Sequence, residues 1–124
     1  VALISMNRPE WMIADFGIAQ LGAVSVPMYP SITVEDYRYI FQDAGVKAIL
    51  VSDANLLDKV REATQGLDIA PDHIFTFDKL PGARHFSELL DLGRQEDAAV
   101  LPSLREAVRP DDLLTLIYTS GTTG

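Results

Sequence analysis

The densest cluster of chemically useful residues is Thr119-Ser-Gly-Thr-Thr-Gly124. The hydroxyls of Thr119, Ser120, Thr122 and Thr123 can each reorient toward an oxyanion. Gly121 and Gly124 tolerate positive φ, and without a Cβ they let backbone N–H groups approach phosphate oxygens. This donor set suits a polyphosphate. Two familiar phosphate loops do not fit the spacing. A Walker loop has four residues between its glycines and then a lysine, whereas two residues separate Gly121 from Gly124. A dinucleotide fingerprint opens with Gly-x-Gly, which is absent here. Ser, Thr and Gly also build ordinary turns, so composition leaves a phosphate loop and a plain turn both open.

Other chemistry is thinly represented. With no cysteine, thiolate metal sites, disulfides and a cysteine nucleophile are excluded within these 124 residues. His73 and His85 are twelve residues apart, with no nearby cysteine and no established carboxylate partner, so neither receives a role. Trp11, Phe16, Tyr37 and Phe41 fall at helical spacing and read as core rather than ligand stackers. Tyr118 adjoins the loop, and packing beneath it is the simpler reading than substrate contact. The formal net charge of −8 argues against a nucleic-acid surface, which needs Lys and Arg at phosphates. No apolar run approaches the ~18–20 residues of a membrane span, and the first residues lack a signal-peptide pattern.

The elements that must position the loop follow from periodicity. Val1 to Ser5 reads as a strand ending at Asn7-Arg-Pro9. A helix follows from Pro9 to Leu21, apolar nearly all round and so expected to be mostly buried, with Gly22 as its stop. Ala23 to Pro27 is a second strand, and Met28-Tyr-Pro30 a turn. Thr33 and Asp36 have capping-box spacing ahead of a stripe of Val34, Tyr37, Ile40, Phe41 and Ala44. Lys47 to Val51 is the third strand, and Asp53 or Asn55 caps a helix carrying Leu56, Leu57, Val60 and Ala63. His73 to Phe77 is the fourth strand. Beyond Asp78 the pattern weakens to a short helix over Ser87 to Leu92 and a capping-box turn at Ser103 and Glu106. After the Arg109–Asp112 loop, Leu113 to Tyr118 is apolar enough to be central in a sheet. Alternating strands and helices predict an α/β fold with a mainly parallel sheet and helices on both faces.

Leu116-Ile-Tyr-Thr-Ser-Gly-Thr-Thr-Gly124 resembles the phosphate-loop signature of the adenylate-forming (AMP-binding) superfamily, which includes acyl-CoA synthetases, firefly luciferases and peptide-synthetase adenylation domains. Val1 to Trp11, Leu21 to Pro27, Tyr39 to Gly45, Ile49 to Ser52 and Pro110 to Leu113 resemble further segments of that family. Tyr29-Pro-Ser31 with Thr33 is most similar to the long-chain fatty acyl-CoA synthetase branch. The resemblance implies that residues 1–124 are an incomplete amino-terminal portion of one large AMP-binding domain. They would end in the phosphate loop, before its usual Pro-Lys-Gly continuation. It also implies that ATP, Mg²⁺ and coenzyme A serve the full enzyme, and that Thr119, Ser120, Gly121, Thr122, Thr123 and Gly124 hold the β- and γ-phosphates.

The substrate so implied is a fatty acid or another carboxylate. The product is an acyl-adenylate and then the CoA thioester. The acidic metal ligand, the acyl pocket and the catalytic lysine of the family lie downstream, so no catalytic residue is assigned here and these residues alone are expected to be inactive. Alternatives are another adenylate-forming enzyme (an amino-acid adenylation or aryl/medium-chain acyl ligase), a non-catalytic nucleotide-binding relative, or a generic α/β domain. The cofactors imply a cytoplasmic setting. Peripheral membrane association and oligomeric state stay open.

Overall fold

The computed structural model describes residues 1–119. Its strands are β1 (Ala2–Ile4), β2 (Val26–Met28), β3 (Ile49–Val51), β4 (Ile74–Thr76) and β5 (Arg84–His85). Its helices are α1 (Pro9–Gln20), α2 (Val34–Asp43), α3 (Ala54–Ala63), α4 (Phe86–Gln95) and α5 (Val100–Ala107). The strands form one sheet of order β2-β1-β3-β4-β5, and every pairing is parallel.

The strands are apolar at nearly every position because both sheet faces are covered. Ala2, Ile4, Ile49, Val51 and Ile74 pack with Tyr37, Ile40 and Phe41 of α2 and Leu56, Leu57, Val60 and Ala63 of α3. The intervening Leu3, Leu50 and Phe75 turn the other way, toward Ala14 and Ile18 of α1 and Phe86 of α4. Period-two alternation thus sorts one apolar run into two cores. The fold is α/β with helices on both faces, as the sequence predicts.

Helix starts are where local chemistry is most explicit. The Thr33 hydroxyl accepts from the Asp36 N–H at 3.1 Å, and the Asp36 carboxylate accepts from the Thr33 N–H at 3.0 Å, closing the capping box of α2. Asp53, rather than Asn55, caps α3 by accepting from the Leu56 N–H at 3.1 Å. α1 ends as expected, with Gly22 at φ 68°, in the left-handed region glycine occupies without a Cβ penalty.

Several expectations are corrected. α1 is not mostly buried: Ala14 and Ile18 face the core, while Met12, Ile13 and Phe16 are at least half exposed. A one-residue-wide inner stripe suffices to seat the helix, and among the described residues nothing packs on its outer side. Phe16 accordingly is not core, whereas Tyr37 and Phe41 are. Ser103 and Glu106 do not start a helix but lie within α5, where the Ser103 hydroxyl donates back to the Val100 carbonyl at 2.8 Å. α4 begins at Phe86, capped by His85: its Nδ1 accepts from the Ser87 N–H at 3.1 Å, and its Nε2 lies 3.0 Å from the Phe77 carbonyl.

The largest correction concerns Leu113 to Tyr118, expected as a central strand. It touches the sheet outside β2 through one parallel bridge, Ser25 with Thr115. Leu113, Leu114 and Ile117 are exposed. The Ser25 N–H donates to Leu114 at 3.1 Å, and the Leu116 N–H donates to Ser25 at 2.9 Å. The Val26 N–H points the opposite way, to Val1 at 2.8 Å. The next residue whose N–H would face the segment is therefore Pro27, which has none, so the ladder stops.

Candidate phosphate-loop site

The bridge orients the segment parallel to β2, so the chain reaches Thr119 at the carboxyl edge of the sheet. That edge is where ligands bind in open α/β folds. Of the six predicted loop residues, Thr119 is described and exposed; Ser120, Gly121, Thr122, Thr123 and Gly124 lie outside the described residues.

Two hollows flank the approach to the loop. One, of about 440 Å³, lies among Ser5 and Asn7 after β1, Tyr29 and Pro30 after β2, and Ile117 and Tyr118. The other, of about 270 Å³, is lined by Tyr29, Asp36, Tyr39, Tyr118 and Thr119. Tyr118 is common to both. A larger hollow of about 600 Å³ lies at the opposite, amino edge, beside Arg61, Asp72 and Arg84. Its guanidiniums are already engaged, Arg61 with the Gly82 carbonyl at 3.0 Å and Arg84 with the Asp72 carbonyl at 2.7 Å. Size does not mark the chemistry here.

Polar contacts that sequence reasoning missed tie these elements together. Arg8 donates to Glu10 and to Asp78, both at 2.9 Å, joining the start of α1 to the end of β4. The bond from Arg8 holds the Glu10 carboxyl below its ordinary range. The Ser25 hydroxyl donates to Asp15 at 2.7 Å, fixing the residue that carries the bridge. The Tyr37 hydroxyl donates to the Tyr29 carbonyl at 2.9 Å. Tyr118 packs against the core, as expected, and its hydroxyl donates to Asp43 at 2.5 Å. No local signal links residues 75 apart in sequence.

Both bonded phenols are weakened as acids. The hydrogen bond to Asp43 pushes Tyr118 up to about 12, and burial pushes Tyr37 to about 12. An unfolded tyrosine ionises near pH 10, so the folded chain keeps protons that the unfolded chain releases. The stability these groups contribute is whole below about pH 10 and is lost as pH rises toward 12. The urea midpoint should fall across that window, and Asp43→Ala, which removes the acceptor, should bring the Tyr118 part of the tyrosinate titration to lower pH. A flat midpoint together with an unmoved titration would contradict both assignments.

Among the described residues no group of three or more His, Asp or Glu side chains could hold a metal ion. Among the same residues no helix is long and apolar enough to cross a membrane.

The AMP-binding enzyme family matches residues 1–124. The chain belongs to that family. Among relatives, it is 33% identical over 124 residues to the long-chain-fatty-acid–CoA ligase FadD15 of Mycobacterium bovis, covering 100% of this chain and 20% of that protein. It is 30% identical over 128 residues to the long-chain-fatty-acid–CoA ligase ACSBG2 of Xenopus laevis, covering 100% of this chain and 17% of that one. A Mycobacterium tuberculosis fatty acyl CoA synthetase superposes with a TM-score of 0.63 at 26% identity, over 96% of this chain and 22% of its own. The anthranilate CoA ligase AuaEII shares the fold, with a TM-score of 0.76 at 24% identity, over 99% of this chain and 22% of its own. The chain thus spans about a fifth of the length of the curated relatives it matches.

Proposed function

We infer that residues 1–124 are the amino-terminal part of an ATP-dependent long-chain fatty acid–CoA ligase. The observation that carries this reading is the Thr119–Gly124 sequence, which follows a segment directed to the carboxyl edge of a parallel sheet. The identity to long-chain fatty acid–CoA ligases supports the substrate class.

A carboxylate is a poor acyl donor because its oxygen leaves badly. Attack of a carboxylate oxygen on the α-phosphorus of ATP breaks the bond to the β-phosphate and releases pyrophosphate. The carbonyl now carries AMP, a good leaving group. A thiol, coenzyme A in this reading, then attacks the carbonyl carbon. AMP departs, the thiol proton passes to solvent or a base, and a thioester remains.

The loop's contribution is to hold the β- and γ-phosphates by backbone N–H and hydroxyl donors. That grip aligns the α-phosphate with the carboxylate and stabilises the charge gathering on departing pyrophosphate. The test is to incubate the full-length protein with ATP, coenzyme A and carboxylates of graded chain length. AMP and thioester should form in equal amounts, with long fatty acids preferred. Turnover of aryl or amino acids instead would move the protein to another branch, and no AMP with any acid would leave a nucleotide-binding relative.

A further inference from the structure

The last backbone hydrogen bond holding the 113–119 segment to the sheet, among the described residues, is Leu116 N–H to Ser25. Pro27 offers no donor to continue that ladder. The approach to the loop is thus unpaired on its β2 side over Ile117, Tyr118 and Thr119, immediately before the residues read as gripping phosphate. What holds it is a side chain: the Tyr118 hydroxyl on the Asp43 carboxylate at 2.5 Å.

The anchor is a firm one. Asp43 is the last residue of α2, whose start is closed by the Thr33–Asp36 box and whose inner face is buried through Tyr37, Ile40 and Phe41. The carboxylate itself does the helix no service, because a negative charge at a helix carboxyl end opposes the macrodipole. No basic residue in that last turn offsets it. A contact that contributes nothing to α2, and that pins the residue just before Thr119, points to placement of the loop.

We propose that Tyr118 and Asp43 are positioning residues for the phosphate loop, setting where Thr119 and the residues after it meet the polyphosphate of ATP. The proposal rests on the ligase reading above and adds to it two residues outside the loop.

The test uses full-length enzyme and carboxylate-dependent ATP–pyrophosphate exchange, with Tyr118→Phe, Asp43→Ala, Asp43→Asn and the Phe/Ala double variant. Losing one hydrogen bond to a charged but solvent-exposed partner should raise the KM for ATP about tenfold. The carboxylate KM should stay put. The double variant should be no worse than either single change, because both remove one interaction. Asp43→Asn should recover most of the loss, since an amide oxygen still accepts from the phenol. A merely structural role would lower the amount of active enzyme, and so kcat, with the KM for ATP unmoved.

That last pattern overturns the proposal, as do unaltered kinetics in Tyr118→Phe or losses that multiply in the double variant. Those outcomes leave the ligase reading standing, because the wild type is active in each. A wild type that exchanges nothing with any carboxylate overturns the ligase reading, and the tether with it.

Discussion

Gly121→Ala in the full-length enzyme is expected to lower the rate of acyl-adenylate formation by about 10²–10³, the scale at which losing one oxyanion donor acts in other enzymes. The residue follows Thr119-Ser120 in the loop and precedes Thr122-Thr123, so its backbone is central to the donor array. A methyl group there would stand between N–H donors and phosphate oxygens, and it would penalise any positive φ the loop requires. The unfolding midpoint, measured alongside, separates a loss of phosphate contact from a loss of fold. Adenylation kinetics equal to wild type would remove the loop from the mechanism.

The second large effect is on stability. Phe41→Ala should cost about 3–5 kcal/mol, the range for removing a large aromatic side chain from a packed core. Phe41 is 2% exposed and stacks on Tyr37 with centroids 6.0 Å apart and planes 9° from parallel. It belongs to the core joining α2 to β1 and β3, with Val46, Ile49 and Val60. Against a typical total of about 5–15 kcal/mol, such a loss is severe. Its consequences reach the site, since α2 carries Asp43 and through it Tyr118. Urea unfolding is the measurement, and a loss below about 1 kcal/mol would show that the site collapses around the cavity or that α2 is not a core helix.

What the sequence discloses divides along the range of the interactions involved. α2 is legible because everything that makes it is local: Thr33 and Asp36 at capping distance, then Tyr37, Ile40 and Phe41 on one stripe. The loop is legible for the same reason, its donors being contiguous. The start of α5 is misplaced because Ser103 and Glu106 stand at capping-box spacing just after Pro102, although Val100, Leu101 and Leu104 keep helical spacing ahead of them. Exposure of Met12, Ile13 and Phe16 on α1 is hidden for a different reason: hydrophobicity says a face should be covered, but not by what. The misplacement of Leu113 to Tyr118 is instructive in the same way. Apolar composition identifies an extended segment, whereas its pairing depends on which way the missing N–H of Pro27 faces. The contacts of Arg8 with Asp78 and of Tyr118 with Asp43 join residues 70 and 75 positions apart, a distance over which no periodicity speaks. Arg8 with Asp78 nevertheless braces the carboxyl edge, and Tyr118 with Asp43 ties the approach to the loop to the end of α2.

The most direct test of the central claim is pyrophosphate exchange into ATP by the full-length protein, run without coenzyme A and with a long-chain fatty acid present or absent. Exchange that appears only when the fatty acid is added would show reversible acyl-adenylate formation, as the account predicts. Exchange indifferent to the carboxylate, or none across fatty, aryl and amino acids, would contradict it.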